Sequence, residues 1–154
     1  MVTSADVMAR WTEIQNDDER ILFVVGGPGS GKSRIIRELS DNDGWKYIEA
    51  KELIDEALIE IRPEDRPQQA SDCIYKCLKA CQSQVVLIDS IDVLFAPILN
   101  IDPIALLRDL SKKYPIVVGW RGRFDGTHLH LEHNNNPEYF TFEVNNKNHV
   151  IVID

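Results

Sequence analysis

Residues 26–33 read Gly26-Gly27-Pro28-Gly29-Ser30-Gly31-Lys32-Ser33, a complete match to the G-x-x-x-x-G-K-[ST] pattern of phosphate-binding loops. Glycines let the main chain curl closely around an anion, so that backbone N–H groups converge on it. The pattern predicts that Lys32 contacts the β- and γ-phosphates of a nucleotide and that Ser33 is a magnesium ligand. Together with the next residue, Arg34, this loop is the predicted nucleotide-binding segment.

The segments on either side of the loop predict an α/β fold. Ile21–Val25 is continuously apolar, which is typical of a strand buried on both faces. Further strands are predicted at Trp45–Glu49, Val85–Asp89 and Pro115–Trp120. Helices are predicted at Thr3–Gln15, Ser33–Leu39, Lys51–Ile61, Ser71–Gln82 and Asp102–Lys113. Strands that alternate with helices of this length indicate a three-layer parallel sheet with crossover helices.

The pattern changes after Trp120. Asp125-Gly126 predicts a hairpin turn, and the two segments His128–Glu132 and Tyr139–Glu143 alternate with the period of half-buried antiparallel strands. Val150–Ile153 fits a last strand. We therefore expect one domain over residues 1–154, with an α/β core in 1–120 and a short β-hairpin extension, without a helical lid, in 121–154.

Asp89 ends the apolar run Val85–Asp89, where a carboxylate beside the phosphate loop can hold Mg²⁺. Many ATPases follow this aspartate with a glutamate that polarises the attacking water, but residue 90 is serine. The Ser90 hydroxyl is not a general base at neutral pH. Asp92 is the alternative base, although the pattern favours a solvated acid that leads a helix. Lys32, Asp89 and Asp92 are thus catalytic candidates.

Arg121 and Arg123 follow the fourth predicted strand, at the end where ligands bind in open α/β sheets. An arginine there can meet the γ-phosphate of its own subunit or of a neighbouring one. Ordinary surface ion pairs are the alternative interpretation of both residues.

Two groups of potential metal ligands have simpler interpretations. Cysteines every four residues predict an apolar stripe on one helix face, since a structural zinc usually has four ligands. Histidines near the hairpin predict a solvent-exposed strand face rather than a metal cluster. The residues are Cys73, Cys77, Cys81, His128, His130 and His133.

Composition limits the class of partner. The chain has 154 residues and a net charge of −8, whereas a phosphate-backbone binder usually carries a basic surface, so DNA contact is not indicated. The longest apolar run is Ile21–Val25, far shorter than the ~18 residues of a membrane span. The first ten residues lack a signal-peptide pattern, and three cysteines fit free thiols. We expect a cytoplasmic protein.

Five stretches of the chain together resemble the BrxF family, small P-loop proteins of type III bacteriophage-exclusion (BREX) defence systems. They are the glycine loop, Val85–Phe95, Asp102–Leu107, Val117–Gly122 and Asn136–Tyr139. The resemblance implies an ATP-binding accessory component that works with larger defence proteins, with Gly26–Ser33 and Asp89 as nucleotide contacts. The chain also resembles the core of AAA-type, additional-strand ATPases, in which the fourth strand lies between the first and the third.

Three functions are compatible with these patterns, each with ATP and Mg²⁺. The first is an ATPase of low intrinsic activity in a defence assembly, activated by a partner or by homo-oligomer formation. The second is a nucleotide sensor with little hydrolysis, which Ser90 favours. The third is a small-molecule or nucleoside kinase, which is disfavoured because Asp92–Lys112 holds a single arginine, Arg108, where a kinase lid needs several.

Overall fold

The computed structural model describes residues 2–153, so Met1 and Asp154 of the predicted 1–154 domain lie outside the described residues. The α-helices are α1 (Ser4–Ile14), α2 (Lys32–Leu39), α3 (Arg66–Cys81) and α4 (Pro103–Leu110). The strands are β1 (Ile21–Gly26), β2 (Trp45–Glu49), β3 (Val85–Asp89), β4 (Ile116–Phe124), β5 (His128–His133), β6 (Asn136–Glu143) and β7 (Val150–Val152). No helix in this part of the chain is long and apolar enough to cross a bilayer.

The main sheet has the strand order β2-β3-β4-β1-β7, and all of its neighbouring strands are parallel. The fourth strand therefore lies between the first and the third, as the additional-strand prediction required. Ile116 in β4 pairs with Ile21 on one side and Val86 on the other. The carboxyl ends of β1 and β3 consequently flank β4 near Val118 and Arg121.

Helices cover both faces of the sheet, which confirms the three-layer architecture. Alternate residues of β1 point to opposite sides: Ile21, Phe23 and Val25 join the core shared with α3 and α4, while Leu22 and Val24 join the core shared with α1 and α2. Because every residue of β1 is buried, its continuous apolar run is explained by packing on both sides.

The prediction of a helix at Lys51–Ile61 is wrong. Two short 3₁₀ turns, Ala50–Leu53 and Glu56–Glu60, occupy this segment. The second turn begins because the Asp55 side chain accepts a hydrogen bond from the Ala57 N–H at 2.9 Å, a local capping bond that competes with a continuous helix.

The helix predicted from Ser71 instead begins at Arg66. Pro67 lies in its first turn, where a missing N–H costs no helical hydrogen bond. The region between Pro63 and Pro67 is thus a 3₁₀ turn at Pro63–Asp65 followed directly by α3.

β4 continues past Trp120, across the predicted 120/121 boundary, and changes partners as it does so. Its second half pairs with β5 in antiparallel fashion, Gly122 opposite Leu131, and β5 in turn pairs with β6. The chain reverses at Asp125, whose N–H donates to the His128 carbonyl at 3.1 Å. β7 then returns to the main sheet beside β1.

The β5–β6 hairpin is held down by an aromatic cluster around Trp120, which is fully buried. The Trp120 ring meets Phe23, Phe95 and Phe142 at centroid distances of 5.5–6.2 Å, and its indole N–H donates to the His130 carbonyl at 3.0 Å. These contacts fix the hairpin over the carboxyl end of the sheet.

Candidate nucleotide-binding site

The glycine loop connects the buried end of β1 to the start of α2. Gly29 and Gly31 have φ angles of 76° and 88°, the left-handed region that residues with a Cβ rarely adopt. Gly31 is the N-cap residue of α2. The unpaired N–H groups of the first helical turn therefore face the loop, with the positive end of the helix dipole.

Ser30 supplies a second indication that the loop holds a polar ligand. Its hydroxyl is buried and has no hydrogen-bond partner among the described residues. A Cβ on Gly26 would overlap this hydroxyl, so the glycine makes room for it. Buried hydroxyls are normally satisfied, and a phosphate oxygen in the loop is a suitable acceptor.

Asp89, at the end of β3, forms side-chain hydrogen bonds with residues at the end of the glycine loop. Its Oδ1 accepts from Lys32 Nζ at 2.7 Å and from the Ser90 N–H at 2.9 Å, and its Oδ2 accepts from Ser33 Oγ at 2.9 Å. The side chain is almost fully buried. The three residues predicted to contact phosphate and magnesium thus lie together.

The environment of Asp89 keeps its carboxylate ionised. Burial by itself raises the pKa of Asp89, but the hydrogen bond and charge of Lys32, with smaller contributions from Ser33 and Ser90, outweigh it. The pKa of Asp89 therefore lies below the ordinary value for an aspartate. An ionised, weakly basic carboxylate suits a metal ligand better than a proton acceptor.

Gly119 in β4 allows the Lys32–Asp89 pair to sit on the sheet. A Cβ on Gly119 would lie 2.5 Å from Asp89 Oδ1 and 3.2 Å from Lys32 Nζ. β4 separates the strand of the loop from the strand of the carboxylate, and the missing side chain lets the two groups meet across it.

A cleft of about 670 Å³ opens above these residues. Its walls are the loop from Gly27 to Arg34, the segment Asp89–Asp92, β4 at Gly119 and Arg121, and the hairpin residues 131–135. The wall thus includes every residue of the predicted nucleotide-binding segment except Gly26, and Arg34 also pairs with Glu38 at 3.5 Å. Gly26 lies beneath the loop as the last residue of β1.

Asp92 lines the cleft, but its carboxylate is already engaged. His133 Nδ1 lies 3.1 Å from Asp92 Oδ2, and the His133 ring packs on Tyr139 at a centroid distance of 4.8 Å. Asp92 was predicted to be either a catalytic base or a solvated acid at the start of a helix. It lies in a 3₁₀ turn and not in an α-helix, and its carboxylate contacts His133. It fastens the hairpin to the 3₁₀ turn Ile91–Phe95.

The two candidate arginines differ in position. Arg121 lines the cleft, opposite Gly26 in the register of β1 and β4. Arg123 does not line it; its guanidinium donates to Glu138 on β6 at 2.7 Å. Arg123 thus forms the surface ion pair that was its alternative interpretation, whereas the phosphate role of Arg121 stays a prediction.

Five hairpin residues in the cleft wall were not predicted as site residues: Leu131, Glu132, His133, Asn134 and Asn135. Asn134 and Asn135 have φ angles of 50° and 65°, the geometry of a tight two-residue hairpin turn, in which asparagine is common. The asparagine run signals the turn. Nothing in the local sequence indicates that the turn lies over the phosphate loop.

The predicted exposure of the histidine face is wrong for His130, which is buried between Asp125 and Thr141 at 2.9 and 3.0 Å. Within residues 2–153 no group of histidine, cysteine and acidic residues could hold a metal ion through three or more of them. The three helix cysteines are free and half-buried, and Cys77 and Cys81 pack against the larger core.

Comparison with known proteins gives one family. The family model for the viral superfamily 1 RNA helicase core domain matches residues 22–102, more than half of the chain and the part that holds both the loop and Asp89. A search of curated proteins found no match. The solved structure of C. elegans PCH-2 has 18% identity and a TM-score of 0.42, with 80% of this chain and 37% of that chain covered.

The fold is thus a P-loop NTPase-like, parallel α/β sheet with short C-terminal strands, and its core is of the kind that binds nucleotides. This chain spans well under half the length of PCH-2. By the match over residues 22–102, the chain belongs to the viral superfamily 1 RNA helicase core domain family.

Proposed function

We propose that the protein binds ATP with Mg²⁺ in the cleft and hydrolyses it, slowly by itself and faster with a partner. One observation carries this proposal: Lys32, Ser33 and Asp89 converge within 2.7–2.9 Å at the carboxyl end of the sheet. A cation, a hydroxyl and a carboxylate in this arrangement match the needs of a phosphate chain with a divalent ion.

The donor set fits magnesium. Ser33 Oγ and Asp89 Oδ2 are hard oxygen donors, and Mg²⁺ is usually held by one or two such groups together with substrate phosphates and water. When bound, the ion neutralises charge on the phosphates. Lys32 then exchanges Asp89 for the β- and γ-phosphates, the loop N–H groups hold the β-phosphate, and the Ser30 hydroxyl gains an acceptor.

Two features support hydrolysis over the kinase alternative. The strand order with β4 between β1 and β3 is that of additional-strand ATPases. Among residues 2–153, two arginines line the cleft: Arg34, next to the loop, and Arg121. The lining in this part of the chain therefore lacks the several arginines of a kinase lid. These features do not distinguish an ATPase from a nucleotide sensor. A measurement of ATP turnover distinguishes them, because a sensor binds ATP without releasing phosphate.

The decisive experiment measures binding and turnover on the same preparation. A fluorescent ATP analogue is titrated with and without Mg²⁺, and phosphate release is followed with ATP and with GTP. Binding that needs Mg²⁺, together with slow phosphate release, supports the ATPase. Binding without any release identifies the sensor, and phosphate transfer to a nucleoside in place of release identifies the kinase.

The family name raises nucleic acid as a partner. The net charge of −8 opposes tight binding to a phosphate backbone by this chain alone. We therefore expect phosphate release to be unchanged by single-stranded RNA. Strong stimulation by RNA would instead favour a helicase-type activity.

The resemblance to BrxF supports the further proposal that the ATPase serves a type III BREX system in the cytoplasm, working with larger defence proteins. The experiment is a tagged pull-down from cells that carry the whole locus, with the Lys32→Ala variant as control. Recovery of other locus proteins only with the nucleotide-binding chain supports this role, and their absence from both samples contradicts it.

A further inference from the structure

Glu132, at the end of β5, lies in the cleft wall although nothing in the loop or in β3 predicts it. Its neighbour Leu131 pairs with Gly122 of β4, one position beyond Arg121, which itself pairs with Gly26 of β1. Glu132 thereby lies near Arg121, at the point where β4 leaves the main sheet. In the main sheet, β4 lies between the strand that leads to the phosphate loop and the strand that ends in Asp89.

The local strand geometry explains how Glu132 reaches the cleft. The β5–β6 register shifts between Leu131 and His133, and three consecutive residues, Leu131, Glu132 and His133, all line the cleft. A regular strand alternates its side chains between two faces. A bulge interrupts that alternation, and bulges of this kind often redirect a side chain beside an active site.

Three acidic residues line the cleft, and the carboxylates of two of them are engaged. Asp89 accepts from Lys32, Ser33 and Ser90. Asp92 pairs with His133. The Glu132 side chain makes no hydrogen bond or ion pair with any residue between 2 and 153, and it is half-buried. It is the carboxylate of the cleft that is available to a water molecule.

We propose that Glu132 is the catalytic base of ATP hydrolysis, in place of the glutamate that is missing at position 90; this inference rests on the proposed function. The Glu132 carboxylate accepts a proton from water while the water oxygen forms a bond to the γ-phosphorus. The bond between the γ-phosphorus and the bridging oxygen breaks, and its electron pair leaves with ADP. The proton then passes from Glu132 to solvent, which restores the carboxylate.

The proposal gives the β5–β6 hairpin a function. The contact between His133 Nδ1 and Asp92 Oδ2 at 3.1 Å and the Trp120 hydrogen bond to the His130 carbonyl at 3.0 Å hold the hairpin at both ends of the segment that carries Glu132. A base on such a support has the fixed position that proton transfer to a reacting water requires.

The test compares Glu132→Gln with wild type and with Glu143→Gln, an exposed change on the same hairpin that lies outside the cleft. We expect Glu132→Gln to reduce single-turnover phosphate release by about 10²-fold or more, with ATP-analogue affinity within about threefold of wild type, since neither variant alters the loop. Glu143→Gln is expected to match wild type in both measurements.

A second variant tests whether the loss of activity comes from the missing carboxylate or from a change in the structure of the hairpin. Glu132→Ala should lose the same activity and regain part of it in formate, because a small carboxylate can occupy the space and accept the proton. Unchanged phosphate release by Glu132→Gln overturns the proposal, as does a loss that formate does not restore. Nucleotide binding without hydrolysis in wild type also overturns it, while absence of binding contradicts the proposed function itself.

Discussion

Lys32 Nζ and Asp89 Oδ1 form a 2.7 Å ion pair across 57 positions of the chain. Both side chains are largely buried, Asp89 to the point that 3% of it is exposed. Each group therefore neutralises the charge of the other. Under the proposed function, we expect nucleotide binding to replace this one pair by two new ones, Lys32 with phosphate and Asp89 with Mg²⁺. This exchange makes the ion pair a measurable part of both stability and affinity.

The first prediction concerns stability and pH. Because the pKa of Asp89 is lowered in the folded protein, its contribution to the free energy of unfolding is present above the ordinary aspartate pKa of about 3.9. That contribution is lost as the pH falls through the lower folded value. Urea denaturation at a series of acidic pH values should show a steeper loss for wild type than for Asp89→Asn. Parallel curves would show that Asp89 does not contribute.

The second prediction concerns Lys32. Lys32→Ala should lose nucleotide affinity by about 10²-fold or more, because charge-assisted hydrogen bonds contribute roughly 1.5–3 kcal/mol each. It leaves the buried Asp89 without its cation, which destabilises the fold at neutral pH. The double variant Lys32→Ala/Asp89→Asn removes that charge and is the control for folding. Unchanged affinity in a fluorescent-nucleotide titration of Lys32→Ala would show that phosphate binds elsewhere.

The third prediction concerns Gly122, which pairs with Leu131 where β5 approaches β4. A Cβ on Gly122 would overlap the His130 carbonyl oxygen, so Gly122→Ala should displace β5 and reduce phosphate release while leaving the loop intact. Gly126→Ala is the matched control, since its Cβ meets nothing within 4 Å although its φ of 101° is strained for alanine. Equal effects of both variants on hydrolysis would argue against a role for the position of β5.

The fourth prediction concerns Arg121, which is one of the residues that line the cleft. If the γ-phosphate of a neighbouring subunit or a partner meets this arginine, phosphate release per chain should rise with protein concentration. An arginine supplied in this way can accelerate phosphoryl transfer by ~10³-fold or more. Arg121→Ala should abolish the rise, whereas Arg123→Ala, which breaks only the pair with Glu138, should retain it. Brisk hydrolysis by dilute Arg121→Ala would exclude this role.

The fifth prediction concerns Ser90, which has a φ of 58° and follows Asp89 where a glutamate is usual. The wild-type rate of ATP turnover should be below ~1 s⁻¹, which is the low end of ordinary enzyme turnover. Ser90→Glu should raise it and should also restore activity to Glu132→Gln, and the left-handed backbone is already adopted here by a residue with a Cβ. Ser90→Ala controls for loss of the hydroxyl. If Ser90→Glu is as slow as wild type while still folded, a base at this position does not limit the reaction.

Local features of the sequence were sufficient for the centre of the site. The glycine spacing of Gly26–Gly31 and the two apolar runs before the loop and before Asp89 depend on short-range geometry, and the structure confirms both strands and the start of α2. The strand order also followed, because additional-strand cores share one arrangement around these two motifs. The prediction of a helix at Lys51–Ile61 was wrong, because a capping hydrogen bond at Asp55 outweighed the helical spacing of the apolar residues in this segment.

The sequence by itself therefore determined the phosphate loop, the carboxylate Asp89 and the parallel core, all of which are encoded in residues adjacent along the chain. Tertiary structure alone decided which residues close the cleft: it separated Arg121 from Arg123, paired Asp92 with His133 and brought Glu132 over β4. The physical reason is that the path of the hairpin depends on long-range packing. Trp120 must find its aromatic partners, and Gly122 must let the His130 carbonyl approach; neither requirement leaves a periodic trace in the sequence.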